Sequence, residues 1–190
     1  MTIARIENGA VAELRAADLS SVPEHKRSQW RTLSGDKPAY DPNIERLEGP
    51  SYQIGDTEVV RTWSKVPLDA ETVKAKLKAY CAQKRFSLET WGCVVNGHHV
   101  DTNRESQGKL VAEFVAIQAG LRVDPSVWKM KDGTFVSLSN ADMSALILAA
   151  RTHIATTFAV ESAINAAIDA GSITTTFALD LVSFTEAPSP

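Results

Sequence analysis

The chain has 190 residues, 23% charged and 44% hydrophobic, with 20 basic against 23 acidic side chains and a formal charge of −3. This near-average composition excludes a disordered chain, a collagen-like rod and a disulfide-stapled scaffold; it leaves room for one ordinary core or two small ones. So small a net charge makes no electrostatic case for nucleic acid, and the two cysteines, Cys81 and Cys93, suit a reducing compartment. No basic-then-apolar leader opens the chain, and no run of about 18 apolar residues predicts a membrane span.

Short strands are expected first. Ile3–Glu7, Asn8-Gly9 and Val11–Leu14 form a hairpin signal, because Asn-Gly supplies the positive φ angles of a two-residue turn. Val22–Arg27 reads as a short helix with Pro23 in its first turn, and Trp30–Leu33 as an extended piece. Arg46–Glu48 and Tyr52–Ile54 flank Gly49-Pro50, and Val59–Val66 alternates as a strand should. From Asp69 a helix is expected with Val73, Leu77, Tyr80 and Cys81 on one stripe and lysines off it, linking two modules, with a boundary near Lys84.

The second module is predicted to open with a strand over Ser87–Val95 that turns at Asn96-Gly97 into His98–Asp101. Thr102 and Glu105 match a capping box ahead of a helix that carries Leu110, Val111, Phe114, Val115 and Gln118 and ends near Gly120. A third hairpin turns at Asp132-Gly133, with Trp128, Met130 and Phe135 expected on one side and Lys129 and Lys131 on the other. Ser139 and Asp142 then cap the longest element, which stops at Gly171 and at 1.5 Å per residue would span roughly 48 Å.

Apolar residues recur along that element at Met143, Leu146, Ile147, Ala150, Ile154, Phe158, Ile164 and Ile168, mostly in steps of three or four. This pattern suits an inter-subunit seam; a bent core helix, or two helices broken near Thr156-Thr157, would satisfy it as well. Charge points the same way as the seam. Up to Arg85 the chain has 14 basic and 12 acidic residues, a balance of +2; beyond it 6 and 11, or −5, with Arg151 the sole basic residue after Asp132. A helix so poor in charge has more than one face covered. Ile173–Leu181 reads as a β-type tail, with Phe177 and Leu179 at one parity, that either closes a sheet in its own subunit or augments a partner's edge.

Catalytic signatures do not emerge. Gly108-Lys109 lacks the earlier glycine of a phosphate-binding loop, no Gly-x-Ser-x-Gly occurs, and the adjacent His98 and His99 point to opposite faces of a strand. No catalytic, cofactor-binding or metal-ligating residue is therefore assigned. The expected fold is α+β: a β-rich module over 1–67, a linker helix over 68–85, a hairpin–helix–hairpin–helix domain over 86–171 and an extended tail over 172–190. The expected interface comprises Met143, Leu146, Ile147, Ala150, Ile154, Phe158, Ile164, Phe177 and Leu179.

From Trp91 to Phe158 the sequence resembles an uncharacterised C-terminal domain of small tailed-bacteriophage and prophage tail proteins. The residues that carry the resemblance are Trp91-Gly92 to Val100 with Asn96-Gly97, the block Asp101–Gln107, Val127–Lys129 with Asp132-Gly133 to Val136 and Leu138, and Ala149–Ile154 with Phe158. Upstream, Val22–Lys26, Tyr40–Pro42, Leu47–Pro50 and Val60–Trp63 are similar to the lead-in of those proteins. Ile173 onward has no counterpart. The resemblance implies a structural role at a tail tip, baseplate or fibre, in the virion, after synthesis and assembly in the host bacterial cytoplasm. Other tail proteins are the implied partners; the charge-poor long helix adds an expected homo-oligomer, with a trimer favoured, and no enzyme activity, cofactor, nucleic acid or membrane is expected from the residues. A fibre-assembly chaperone and a receptor- or glycan-binding protein are the alternatives.

Overall fold

The computed structural model describes residues 1–184. It is α+β, with about 44% helix and 28% strand. The chain divides into two compact units, the first Met1–Asp69 and the second from Ala70 onward. The sequence places the boundary near Lys84; the structure places it at Asp69.

The first unit is a five-stranded sheet of β1 (Thr2–Glu7), β2 (Ala10–Ala16), β3 (Trp30–Ser34), β4 (Glu45–Ile54) and β5 (Glu58–Pro67), in the order β2-β1-β3-β5-β4. Asn8 and Gly9 take φ of 52° and 74° and make the two-residue turn between β1 and β2, with Glu7 opposite Ala10. Only β3 and β5 run parallel. Gly49-Pro50 interrupts the register of β4 without ending the strand. The helical turns Leu19–Ser21 and Glu24–Gln29 bring Val22 against Ile3 and Trp30 in a small core, with β2 and β4 as the edges.

In the second unit α1 (Ala70–Trp91) continues through the stretch expected to begin a strand. Thr90 and Trp91 favour strands locally, but Leu88 packs with Leu77 and Cys81, and Arg85 and Glu89 pair one helical turn apart. Burial of that face overrides the local preference, so α1 is a core helix and not a linker. It stops at Gly92, whose φ is +109° and where a Cβ would lie 2.4 Å from the Val100 carbonyl oxygen. Gly92→Ala is expected to cost roughly 1–3 kcal/mol from backbone strain alone, read as a lower thermal midpoint. A midpoint unchanged within error would contradict the close approach.

The hairpin of β6 (Cys93–Val95) and β7 (His98–Val100) turns at Asn96-Gly97 as expected, with φ of 50° and 80°. α2 (Arg104–Gln118) is capped one residue later than predicted. Asn103 caps it, accepting the Ser106 amide at 2.8 Å; Thr102 is buried and donates to the Glu89 carbonyl, and Glu105 pairs with Lys109 at 2.6 Å. Two cap candidates overlap here, and asparagine is the better cap.

The hairpin of β8 (Ser126–Lys129) and β9 (Phe135–Leu138) has Lys129 opposite Phe135. Its loop is three residues long, with Gly133 at φ +88° and the Met130 amide bonded to the Thr134 carbonyl. One extra loop residue turns Phe135 to the lysine side, and it is exposed.

α3 (Asn140–Asp169) is one continuous helix, about 45 Å long, and the Ser139–Asp142 capping box is formed. The expected seam exists but is filled within the chain. Met143, Leu146 and Ala150 pack with Val100, Leu110, Met130 and Leu138; Val160, Ile164 and Ile168 pack with Leu77, Cys81, Leu179 and Phe184. The helix outgrows an ordinary domain because it runs through two successive cores. By length and composition alone it could cross a membrane, where the sequence predicts no span; in this structure it is the spine of both cores.

The expected β tail is also corrected. Thr175 caps α4 (Thr176–Asp180), and Leu179 turns inward while Phe177 is 73% exposed. Residues two apart share a face in a strand but lie about 200° apart around a helix. Tyr80 and Lys84 hold Asp180 at 3.0 and 2.8 Å, fastening α4 to α1. Residues 185–190 of the expected tail lie outside the described residues.

Candidate functional site

Two features of the second unit stand out, a buried polar knot and an exposed apolar face. The knot centres on Glu89, 1% exposed near the end of α1. Arg85 pairs with the Glu89 carboxylate and, through Nε at 2.8 Å, with Glu161 of α3. Gln107 Nε2 donates to Glu89 Oε1 at 3.3 Å and to the Thr102 carbonyl at 2.8 Å, and Arg104 lies 3.4 Å from Oε1. The Arg85 guanidinium also stacks 4.3 Å from the centre of the Phe158 ring. The block Thr102–Gln107 therefore folds around the end of α1 and fastens it to α2, while Arg85 reaches α3.

These groups are matched to one another. Both carboxylates face guanidinium groups, and together they clamp α1 to α2 and α3. Cys81 is a poor nucleophile: burial pushes its thiol up to about 11. Burial likewise raises Cys93. His98 faces Val95 and His99 faces Val94 across the hairpin, so adjacent positions put the two rings on opposite faces. His153 contacts the Leu88 carbonyl at 3.0 Å. Among the described residues no group of three or more His, Cys, Asp and Glu is placed to hold a metal ion.

The apolar face lies where α2 crosses the first half of α3. Arg122 joins the end of α2 to the start of α3, bonding Glu113 at 2.6 Å, the Leu138 carbonyl at 3.1 Å and Asn140 at 2.8 Å. Between the helices runs a groove of about 590 Å³, walled by Leu110, Val111 and Phe114 on one side and Ile147, Leu148 and Ile154 on the other, with Arg151 its one charged side chain. Val111 is 63% exposed, Val115 58% and Leu148 63%.

The expected interface residues divide accordingly. Met143, Leu146, Ala150, Ile164 and Leu179 are buried in the chain's own cores, so they cannot form a seam with a partner. Ile147 is half-buried against the core of Met143, Leu146 and Ala150, and Ile154 is half-buried in the groove wall. Phe158 is partly exposed beneath Arg85, and Phe177 is exposed on α4. The sequence places Leu110, Val111, Phe114, Val115 and Gln118 at helical spacing without dividing them; of these Leu110 is the one that is buried. The missed signal is two apolar sets on one helix, Leu110 with Ile117 and Val111 with Phe114 and Val115, where one core needs only one.

Residues 72–183 match the model of a family described as a domain of unknown function (DUF4376). No curated protein and no solved structure matches the chain. The match covers more than half of the sequence and runs from the first turn of α1 past the end of α4. The chain belongs to the DUF4376 family, and both the polar knot and the apolar face lie within the family's domain.

Proposed function

We propose that this protein is a structural component of a tailed-bacteriophage tail, at the tip, baseplate or fibre, and that it works by protein–protein assembly rather than by catalysis. The observation that carries the reading is the α2–α3 face. Val111, Phe114, Val115 and Leu148 stand in water beside an apolar groove, on a protein of ordinary composition. Apolar patches beyond a few hundred Å² mark interaction surfaces. The tail assignment is supported by the sequence resemblance between Trp91 and Phe158. The face takes over the assembly role that the seam residues were expected to have.

The test is genetic and physical together. Val111→Lys and Val115→Lys alter exposed positions, so each is expected to keep folding stability within about 0.5 kcal/mol of the parent. Particles made in cells that supply only Val111→Lys are expected to lack the protein and to lose infectivity. Normal incorporation of the variant would show that this face is not the contact.

A further inference from the structure

α2 carries a residue that the chain's own packing does not require. Gly108 lies inside the helix, at ordinary helical φ, with nothing within 4 Å of where a Cβ would stand. An interior glycine costs a helix about 1 kcal/mol relative to alanine. On the same exposed side follow Val111, Ala112, Val115 and Ala119, at helical steps. Gly108 and the alanines let another backbone approach closely, and the valines supply apolar contact. The stripe carries no charge, so its occupant presents an apolar, closely fitting helix there.

The charges around the stripe select that helix. The exposed charged residues of α2 are Arg104, Glu105 and Lys109, all toward its N-terminus, and its last turn contains no basic residue. The negative end of the helix dipole has no exposed cation beside it: Arg122, just beyond, is 4% exposed at its side chain and is taken up by Glu113, the Leu138 carbonyl and Asn140. A second α2 laid antiparallel supplies one, because its Arg104 and Lys109 come beside that end. A parallel copy would set Lys109 against Lys109 and Glu105 against Glu105. Ridge and groove lie side by side, which a two-fold axis requires: each copy offers the surface that the other needs.

We propose that the chain forms an isologous dimer in which α2 pairs antiparallel with α2 of a second copy, the Val111–Phe114–Val115 ridge of each closing the groove of the other. This rests on the reading of the α2–α3 face as an assembly surface and names its occupant.

Light scattering of the full chain across a concentration series tests it. The parent is expected to reach twice its 20.6 kDa mass. Gly108→Leu, which favours the helix itself but blocks close approach, is expected to weaken self-association roughly 100-fold without lowering thermal stability. Ala112→Cys is expected to cross-link to itself under mild oxidation, and Asp36→Cys in the first unit is not. A parent that stays monomeric at every concentration overturns the dimer. If that monomer floats with phospholipid vesicles, the face belongs to lipid; if Val111→Lys still abolishes incorporation into particles, self-pairing fails while the assembly reading stands. Dimers of unchanged affinity in Gly108→Leu would also overturn the proposed geometry.

Discussion

Arg85→Ala is expected to destabilise the second unit by about 3–5 kcal/mol, the usual penalty for removing one partner of a buried ion pair. Glu89 is 1% exposed, and its carboxylate would be left to Gln107 and the more distant Arg104. Glu161, 17% exposed at its side chain, would lose the same guanidinium, and Phe158 its stacking partner. For a unit of this size the thermal midpoint should fall by roughly 10–20 °C. Replacing both ends of the pair, as Arg85→Met with Glu89→Leu, should recover much of the loss, because neither charge is then stranded. A loss under about 1 kcal/mol for Arg85→Ala would show that Glu89 does not depend on Arg85.

Leu146→Asp should prevent the second unit from folding at all. Leu146 is 3% exposed in the core that joins α3 to the two hairpins and α2. Truncating such a leucine costs about 2–5 kcal/mol, and an unpaired carboxylate in its place adds to that, against a total stability of about 5–15 kcal/mol. Ile154→Asp provides the contrast: Ile154 is half-buried in the groove wall, where the carboxylate can turn toward water. Circular dichroism and trypsin resistance should separate the two, with Leu146→Asp unfolded and Ile154→Asp folded. A folded Leu146→Asp with an altered oligomeric mass would return the seam to the subunit interface.

Those two positions also show how far the sequence could be read. The steps Met143–Leu146–Ala150 and Val160–Ile164–Ile168 identify a helix with one long apolar stripe, and the Ser139–Asp142 box fixes its start. Periodicity reports that a stripe is covered, not by what. Here α1, which local β preference at Thr90 and Trp91 had shortened on paper, continues to Trp91 and supplies part of the cover. The Asn-Gly hairpins were legible because their turn angles are set by two residues; the Lys131–Gly133 loop was not, because Asp-Gly serves both two- and three-residue turns.

The apolar face was legible only in part. Val111 and Phe114 were visible as apolar positions, but Leu110 beside them satisfies the core, and only tertiary packing shows which stripe is left in water. The polar knot was harder still. Its members lie on α1, on α3 and in the segment that opens α2, and no spacing in the chain brings Arg85 to Glu161. The capping signature at Thr102 and Glu105 was misleading for a related reason: both side chains had stronger partners than the helix end, Thr102 at the Glu89 carbonyl and Glu105 at Lys109.

A mass-spectrometric inventory of purified virions, from the phage proposed to encode this chain, tests the assembly role most directly. The 20.6 kDa chain is expected among the tail proteins, in constant ratio to them and retained after extensive washing. Its absence from finished particles, together with a stable monomeric mass in solution, would contradict a structural role in the tail.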